Sequence, residues 1–367
     1  MKFVISREAL LRPLQLVAGV VEKRQTLPVL SNVLLEVEGQ QLSLTGTDLE
    51  VELVGRVTLD EVGQEGEITV PAKKLMDICR SLPDGAQIEV EQDEQRVNVR
   101  SGRSRFTLST LPATEFPNVE SISGEQEFTL AQGSLRRVID RTSFAMAQQD
   151  VRYYLNGMLL EIQSNLLRTV ATDGHRLAMC SRPIDVAVSQ SQKLIVPRKG
   201  ILELSRLLDD SDEPVSLTLG STHVRAHTGD FTFTSKLIDG KFPDYERVVP
   251  RNGDKVLIAE RAELRQVLSR TAILSNEKYR GVRLYLEENN LKVMANNPEQ
   301  EEAEENIAVE YSGSAMEVGF NVGYLVDVLS VLDEERVQIT LADPNSSALL
   351  EEPGGGDALY VVMPMRL

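Results

Sequence analysis

The 367 residues include no tryptophan, two cysteines and three histidines, which leaves little material for metal ligation or nucleophilic chemistry. Cys79 and Cys180 each lie inside an apolar stretch and read as reduced core thiols, not as a disulfide or a metal site. No apolar run approaches the roughly 18 residues a bilayer span requires. Met1 to Glu8 lacks the basic-then-apolar form of a signal peptide. Neither a Walker A loop nor a dinucleotide fingerprint is present, and Gly354-Gly355-Gly356, followed by Asp357, reads as a turn. Asp173, His175 and the nearby Ser181 raise the possibility of hydrolysis, but no nucleophile elbow accompanies them. These absences argue against an enzyme and call for no cofactor and no metal.

What the chain does have is repetition. A short strand leading into a helix is expected at Phe3–Ile5 with 7–24, at Phe128–Leu130 with 134–152, and at Val256–Ile258 with 260–280. Leu10, Leu11 and Leu14 give the first helix an apolar face; Leu135, Val138 and Ile139, then Leu264, Val267 and Leu268, repeat it. Strand pairs follow at 33–45, 157–171 and 281–295. A second strand and helix come at Ile68–Pro71 with 73–82, Leu194–Pro197 with 198–208, and Val318–Phe320 with 324–332. The closing strands end in Phe106–Ser109, Phe231–Thr234 and Tyr360–Met363. Phe3 to Phe128 and Asp48 to Asp173 are both 125 residues apart, and Pro71 to Pro197 is 126. The spacing predicts three similar domains, 1–122, 127–248 and 255–367, with polar, glycine-bearing links at 121–124 and 251–254. Each domain halves again into strand, helix and about three strands, an α+β arrangement with helices on one face of antiparallel sheets.

The net charge of −17 argues at first against a nucleic-acid partner. The charge is not evenly spread. Five of the six helical segments carry +2 each and the sixth −3, so the helices hold +7 and the remainder −24. A charged helix face is often mere solvation. The same bias in five helices of one repeat favours a phosphate-binding surface. Its candidate residues are Lys73, Arg80, Arg137, Arg141, Arg152, Arg198 and Lys199. No base-reading motif accompanies them, so contact with duplex DNA would be sequence-independent.

Six helices about 10 Å wide, set side by side, close a hole of roughly 9 Å, while twelve close one of roughly 28 Å. Only the second passes a duplex, whose major groove alone is about 12 Å wide. Two copies joined head to tail are therefore expected. The ends suit this: Glu299, Glu301, Glu302, Glu304 and Glu305 in the third domain face a basic set in the first, Lys74, Arg96, Arg103 and Arg105. Charges at such a rim mostly set orientation, so Phe106, Leu108, Ile273 and Leu274 are the apolar candidates for holding the homodimer. A repeat-built protein scaffold that binds no DNA is the rival, and the sorted helix charge speaks against it.

Several stretches resemble the bacterial sliding-clamp family, the beta subunits of DNA polymerase III. They are Leu42–Glu50, Gln149–Met158, Ala171–Leu177, Phe242–Tyr245, Asn296–Glu305 and Tyr360–Leu367, and the resemblance covers essentially the whole chain. It implies a DNA-clamp fold, with helices lining the inside and sheets outside a six-domain ring loaded by a clamp loader, and DNA contacts at Arg24, Gln149, Tyr153 and Tyr154. It also implies a pocket between the second and third domains for short peptides. The implied partners are the DNA polymerase III catalytic subunit, other DNA polymerases, the clamp loader, and mismatch-repair and ligase proteins. The location implied is cytoplasmic and nucleoid-associated, with no membrane partner. The pocket wall would comprise Leu155, Thr172, Gly174, His175, Arg176, Leu177, Pro243, Val248, Asn321, Tyr324, Ser347, Val361, Val362, Met363, Pro364 and Met365. Apolar walls accept leucine or phenylalanine anchors, and methionine adapts to several partners. Without the resemblance, Val361 to Met365 reads as a last core strand and a frayed tail.

Overall fold

Phe3 and Ile5 alternate with Lys2, Val4 and Ser6, and the strand they form buries the first two and half-exposes the others. The same alternation recurs in strands such as Pro214–Leu219 and Gly281–Glu287, whereas Gly157–Gln163 is buried on both faces; the described residues form 25 strands in four antiparallel sheets. The computed structural model describes residues 1–21, 27–117, 126–186 and 191–366.

The first sheet has the order β5 (Glu61–Gln64), β1 (Lys2–Ser6), β7 (Gln87–Asp93), β8 (Arg96–Ser101) and β9 (Ser104–Ser109). The second runs β10 (Gln126–Ala131), β15 (Pro214–Leu219), β16 (His223–Thr228), β17 (Phe231–Lys236), β4 (Val51–Thr58), β3 (Gln41–Thr47), β2 (Asn32–Glu38) and β6 (Gly66–Pro71). The third runs β14 (Gln192–Pro197), β11 (Gly157–Gln163), β12 (Leu166–Thr172), β13 (Arg176–Pro183), β25 (Ala358–Val362), β24 (Ala348–Glu351), β23 (Arg336–Leu341) and β18 (Lys255–Glu260). The fourth is β21 (Glu302–Ala308), β20 (Asn290–Asn296), β19 (Gly281–Glu287) and β22 (Met316–Asn321).

Two of these sheets are each assembled from neighbouring sequence repeats. In one, β17 of the second repeat pairs with β4 of the first, Phe233 opposite Leu53. In the other, β25 of the third repeat pairs with β13 of the second, Tyr360 opposite Ala178. This continuity explains why the chain divides into two compact units rather than along its three repeats. One unit is Met1–Gly133 with Lys199–Leu237, the other Ser134–Arg198 with Ile238–Leu367. Each unit contains one seam. The pairing also refines the repeat alignment. Phe106 lies opposite Val99 as Phe233 lies opposite Ala226 and Tyr360 opposite Leu350. Phe106 therefore matches Phe233, not Phe231.

The helices are α1 (Arg7–Val20), α2 (Ala72–Ser81), α3 (Gln132–Asp140), α4 (Arg198–Leu207), α5 (Arg261–Thr271) and α6 (Val322–Val331). Ser6 caps α1 by accepting from the Ala9 amide, and Leu10, Leu14, Val17 and Val20 form its buried stripe. In the first unit α1 packs on α2; in the second α5 packs on α6. Three helices end several residues before the sequence predicts, the other three within one residue. Val21 is already extended, and residues 22–26, which include Arg24, lie outside the described residues. The predicted helix 134–152 stops at Asp140. Beyond it the Asp150 amide donates to Asn156 Oδ1 (2.8 Å), and Asn156 Nδ2 donates back to the Asp150 carbonyl (2.9 Å). Gln149 adopts a positive φ of 58°. Side-chain bonds to the backbone here replace helical ones. The predicted helix 260–280 ends at Thr271, and Asn276 Oδ1 turns the chain by accepting from the amides of Lys278 and Tyr279. None of the helices among the described residues is long and apolar enough to cross a membrane.

Candidate peptide pocket and edge strands

In the second unit, β12, β13 and β25 meet the turn 152–155 and the irregular segment Pro243–Val248 around a cavity of ≈ 170 Å³. Ten residues expected from sequence line it: Leu155, Thr172, Gly174, His175, Arg176, Leu177, Pro243, Val248, Val361 and Met363. Arg152, Tyr154 and Tyr245 complete it. The first two were expected at DNA. Tyr245, part of the stretch Phe242–Tyr245 that carries the resemblance, is flanked by Asp244, Glu246 and Arg247, and nothing in that local pattern marks it as buried. Asn321, Tyr324, Ser347, Val362, Pro364 and Met365 are not among the lining residues. Val362 is fully buried, and Asn321 caps α6 by accepting from the Gly323 amide. Ser347 is half-buried just before β24. Tyr324 stacks on His175 at 6.4 Å and lies under the Arg176 guanidinium at 4.5 Å. Tyr324 therefore packs against two residues that line the cavity. The tail is tied down, not frayed: the Met363 amide donates to the His175 carbonyl and the Met365 amide to the Gly319 carbonyl, each at 2.9 Å. Met365 lines a separate hollow with Tyr279, Arg283 and Pro298.

The charged groups of the pocket wall are already engaged. Arg152 forms a two-pronged pair with Asp150 (2.9 and 3.0 Å) and donates to the Asp173 carbonyl (3.2 Å). Those bonds hold the Asp150 carboxyl down at about 2. Arg176 bonds to Asp173 (3.1 Å), to the Phe144 carbonyl (2.9 Å) and to Asp327. The Thr172 hydroxyl donates to the Arg176 carbonyl (2.6 Å) and accepts from the Gly174 amide (3.2 Å). The rest of the wall is mainly apolar: Leu155, Leu177 and Val361 are buried, Met363 and Val248 are partly exposed, and the His175 ring is exposed beside them. Such a site takes a neutral, apolar side chain.

The basic helix residues divide into two groups. Lys73, Lys74 and Arg80 are exposed on α2. Arg137 instead pairs with Asp333 and Asp357. Arg141, its side chain 5% exposed, is held by Asp333 and Glu352. Lys199 pairs with Asp48, and Arg198 donates to the Met146 carbonyl (3.3 Å). The buried Arg141 cannot reach a phosphate, which corrects its placement at DNA. A helix count cannot see acidic residues brought opposite by a distant strand. Gln149 and Tyr153 are exposed on the turn beside the pocket, with Val151 between them 96% exposed.

The acidic run leads into an edge strand, β21, and the basic run spans β8 and the edge strand β9. Phe106 on β9 is half-buried, whereas its equivalents Phe233 and Tyr360 at the two seams are fully buried. Leu108 is 7% exposed and belongs to its own core; Ile273 is 76% exposed and Leu274 half-buried. Glu305 is held by Arg270 at 2.6 Å, and Glu301 accepts from Asn297 at 2.6 Å. Arg103, Arg105, Glu299, Glu302 and Glu304 are exposed, with Arg105 also donating to Asn98 Oδ1 at 3.1 Å.

Three models of the DNA polymerase III beta subunit match in succession: its N-terminal domain over residues 1–120, its central domain over 129–244 and its C-terminal domain over 246–366. The chain is 66% identical over its full length to the beta sliding clamp of Pseudomonas putida and 58% to that of Escherichia coli K12, covering all of each. A sliding clamp from Pseudomonas aeruginosa solved with griselimycin superposes with a TM-score of 0.96 at 66% identity, and Caulobacter crescentus pol III beta with 0.92 at 40%; all of each chain is covered.

Proposed function

Because the chain belongs to the DNA polymerase III beta subunit family, the beta sliding clamps, we propose that two copies close into a six-domain ring around duplex DNA and that the cavity beside Met363 captures short linear peptides. The beta subunit is a processivity factor and not itself a catalyst. The domains of this ring are 1–122, 127–248 and 255–367.

The observation that carries the ring is the pair of seams. Repeat one joins repeat two through β4 and β17, and repeat two joins repeat three through β13 and β25. The strand of repeat three that corresponds to β4 and β13 is β21. The strand of repeat one that corresponds to β17 and β25 is β9. Among the described residues both are free edges, and they are oppositely charged. An unpaired edge is a template for another chain, and repetition of the rule joins β21 of one copy to β9 of the next. The register follows. Ala303 pairs with Ala295 as Ala178 pairs with Ala171 and Leu53 with Gly46. Phe106 then sits opposite Ala303 of the second copy, and Arg105 opposite Glu304. Two identical seams close the dimer.

Exposed Lys73 and Arg80, with Gln149 and Tyr153 on the turn, supply weak, sequence-blind contacts that permit sliding. The pocket serves the polymerase III catalytic subunit, other polymerases, the clamp loader, and mismatch-repair and ligase proteins, in the cytoplasm at the nucleoid. The test is topological: load the protein on nicked circular DNA with a clamp loader and ATP, then cut the circle once. Retention before cutting and loss after it is the expected result. Equal retention on both forms overturns the ring.

A further inference from the structure

One side of the pocket is fixed by strands: Thr172 on β12, Leu177 on β13 and Val361 on β25. The other side, Pro243–Val248, belongs to no strand and contains only the single turn Tyr245–Arg247. Tyr245 ties this side to the sheet. Its ring, 5% exposed, lines the cavity and packs in a cluster with Leu159, Ile195 and Phe242. Its hydroxyl points into a buried polar network. It donates to Glu161 Oε2 at 2.6 Å and accepts from Arg168 Nη1 at 3.0 Å.

The network is anchored from several strands. Glu161, 1% exposed on β11, also accepts from Gln163 Nε2 (2.7 Å) and Lys193 Nζ on β14 (3.1 Å). Arg168 on β12 donates from Nε to the Ser181 hydroxyl on β13 (2.8 Å). Burial alone would raise the Glu161 carboxyl, but the bonds from Tyr245, Gln163 and Lys193 hold it low and charged. Burial and Glu161 together push the Tyr245 hydroxyl up to about 12, so it remains a donor. A buried hydrogen bond to a charge is among the strongest available to a side chain, and costly to leave half made.

We propose that the Tyr245 hydroxyl, held between Glu161 and Arg168, is a positioning group that fixes the Pro243–Val248 wall and thereby sets which apolar anchor the pocket prefers, leucine or the bulkier phenylalanine. The inference rests on the peptide-pocket reading. A tightly held wall discriminates by size, because an anchor one step too large must displace it. A loosened wall accommodates both.

The experiment uses two labelled peptides, identical except for a leucine or phenylalanine anchor, titrated into the intact dimer. Tyr245→Phe removes a single oxygen. Leucine-peptide affinity is expected to fall about tenfold, on the scale of one charge-assisted hydrogen bond. The leucine-to-phenylalanine affinity ratio should fall by about threefold or more. Arg168→Gln removes the other half of the latch and should shift the ratio the same way by less; it carries the test alone if Tyr245→Phe does not fold. The ratio is unaffected by a loss of folded protein, so equal weakening of both peptides, or no weakening, overturns the proposal. Wild-type protein that binds neither peptide overturns the pocket reading as well, and the wild-type titration shows this separately.

Discussion

Phe106 and Phe233 occupy one position in two copies of the same sheet, each opposite a small or aliphatic residue of the neighbouring strand. Phe233 is fully buried because β4 covers it; Phe106, on a free edge, is half-buried. Phe106→Ala should therefore leave the monomer folded and weaken the dimer. Removal of a buried aromatic costs about 3–5 kcal/mol, and the loss applies at each of two seams. Sedimentation at micromolar concentration is expected to show monomer, and unchanged dimer would refute the β9–β21 register.

The same register places Arg105 opposite Glu304. Arg105→Glu is expected to slow dimer formation and raise the dissociation constant, and Glu304→Arg in the same chain to restore both in part. Rim charges act mainly on association, so the effect should shrink above roughly 0.5 M salt as screening grows. A double variant no better than Arg105→Glu alone would show that these side chains do not meet.

Gly174 adopts a φ of +89°, and a methyl group added there would lie 2.8 Å from Arg152 Nη2. Arg152 cannot simply swing aside, since Asp150 grips it with two bonds. Gly174→Ala should reduce peptide affinity by tenfold or so, on the scale of about 1–2 kcal/mol for one strained backbone position. Titration with an anchored peptide checks it. Deletion of Met363 to Leu367 should abolish peptide binding outright while sedimentation still reports a dimer.

Lys73→Glu and Arg80→Glu should lower DNA retention and reduce the salt slope by about one for each phosphate that no longer meets a cation. Arg141→Gln should behave differently. The Arg141 side chain is buried, but Asp333 is 61% exposed, so the loss is on the scale of one or two charge-assisted hydrogen bonds, about 1.5–3 kcal/mol. The variant is expected to melt early, and its folded fraction to retain DNA normally. Loss of DNA retention in a fully folded Arg141→Gln would contradict the buried placement.

Glu52, opposite Thr234 in the β4–β17 seam, is pushed by burial from 4.5 to about 7, against the pull of Arg225. The folded state therefore holds a proton that the unfolded chain releases. Its contribution is fully present below about pH 4.5 and is lost as pH rises through about 7. Glu52→Gln should match wild type near pH 5 and exceed it at pH 8 by about 3 kcal/mol, at roughly 1.4 kcal/mol for each tenfold change in proton affinity. Thermal melts at the two pH values decide it.

The strand and helix starts were legible because Phe3 and Ile5, or Leu10 and Leu14, carry their period within a few residues. Helix ends were not, since Asp150 and Asn156 stop a helix through side-chain bonds that the apolar period ignores. The resemblance named ten residues that line one cavity. Tyr245 was missed because its ring and hydroxyl serve different environments, and only the fold brings Glu161 and Arg168 beneath it. Arg141 was misplaced for the same reason: Asp333 is far away in sequence.

Two seams that join repeats lie inside one continuous chain, and in the proposed ring a third would join separate chains. A closed dimer would thus have two breakable joints and four that connectivity guards. When one joint parts, the other still tethers its strands near each other at an effective concentration in the millimolar range, by analogy with short tethers. Reclosure is then a unimolecular event, independent of how much protein the cell contains. In such a ring a gap would open, admit a duplex and heal while the two copies stay joined at the other seam.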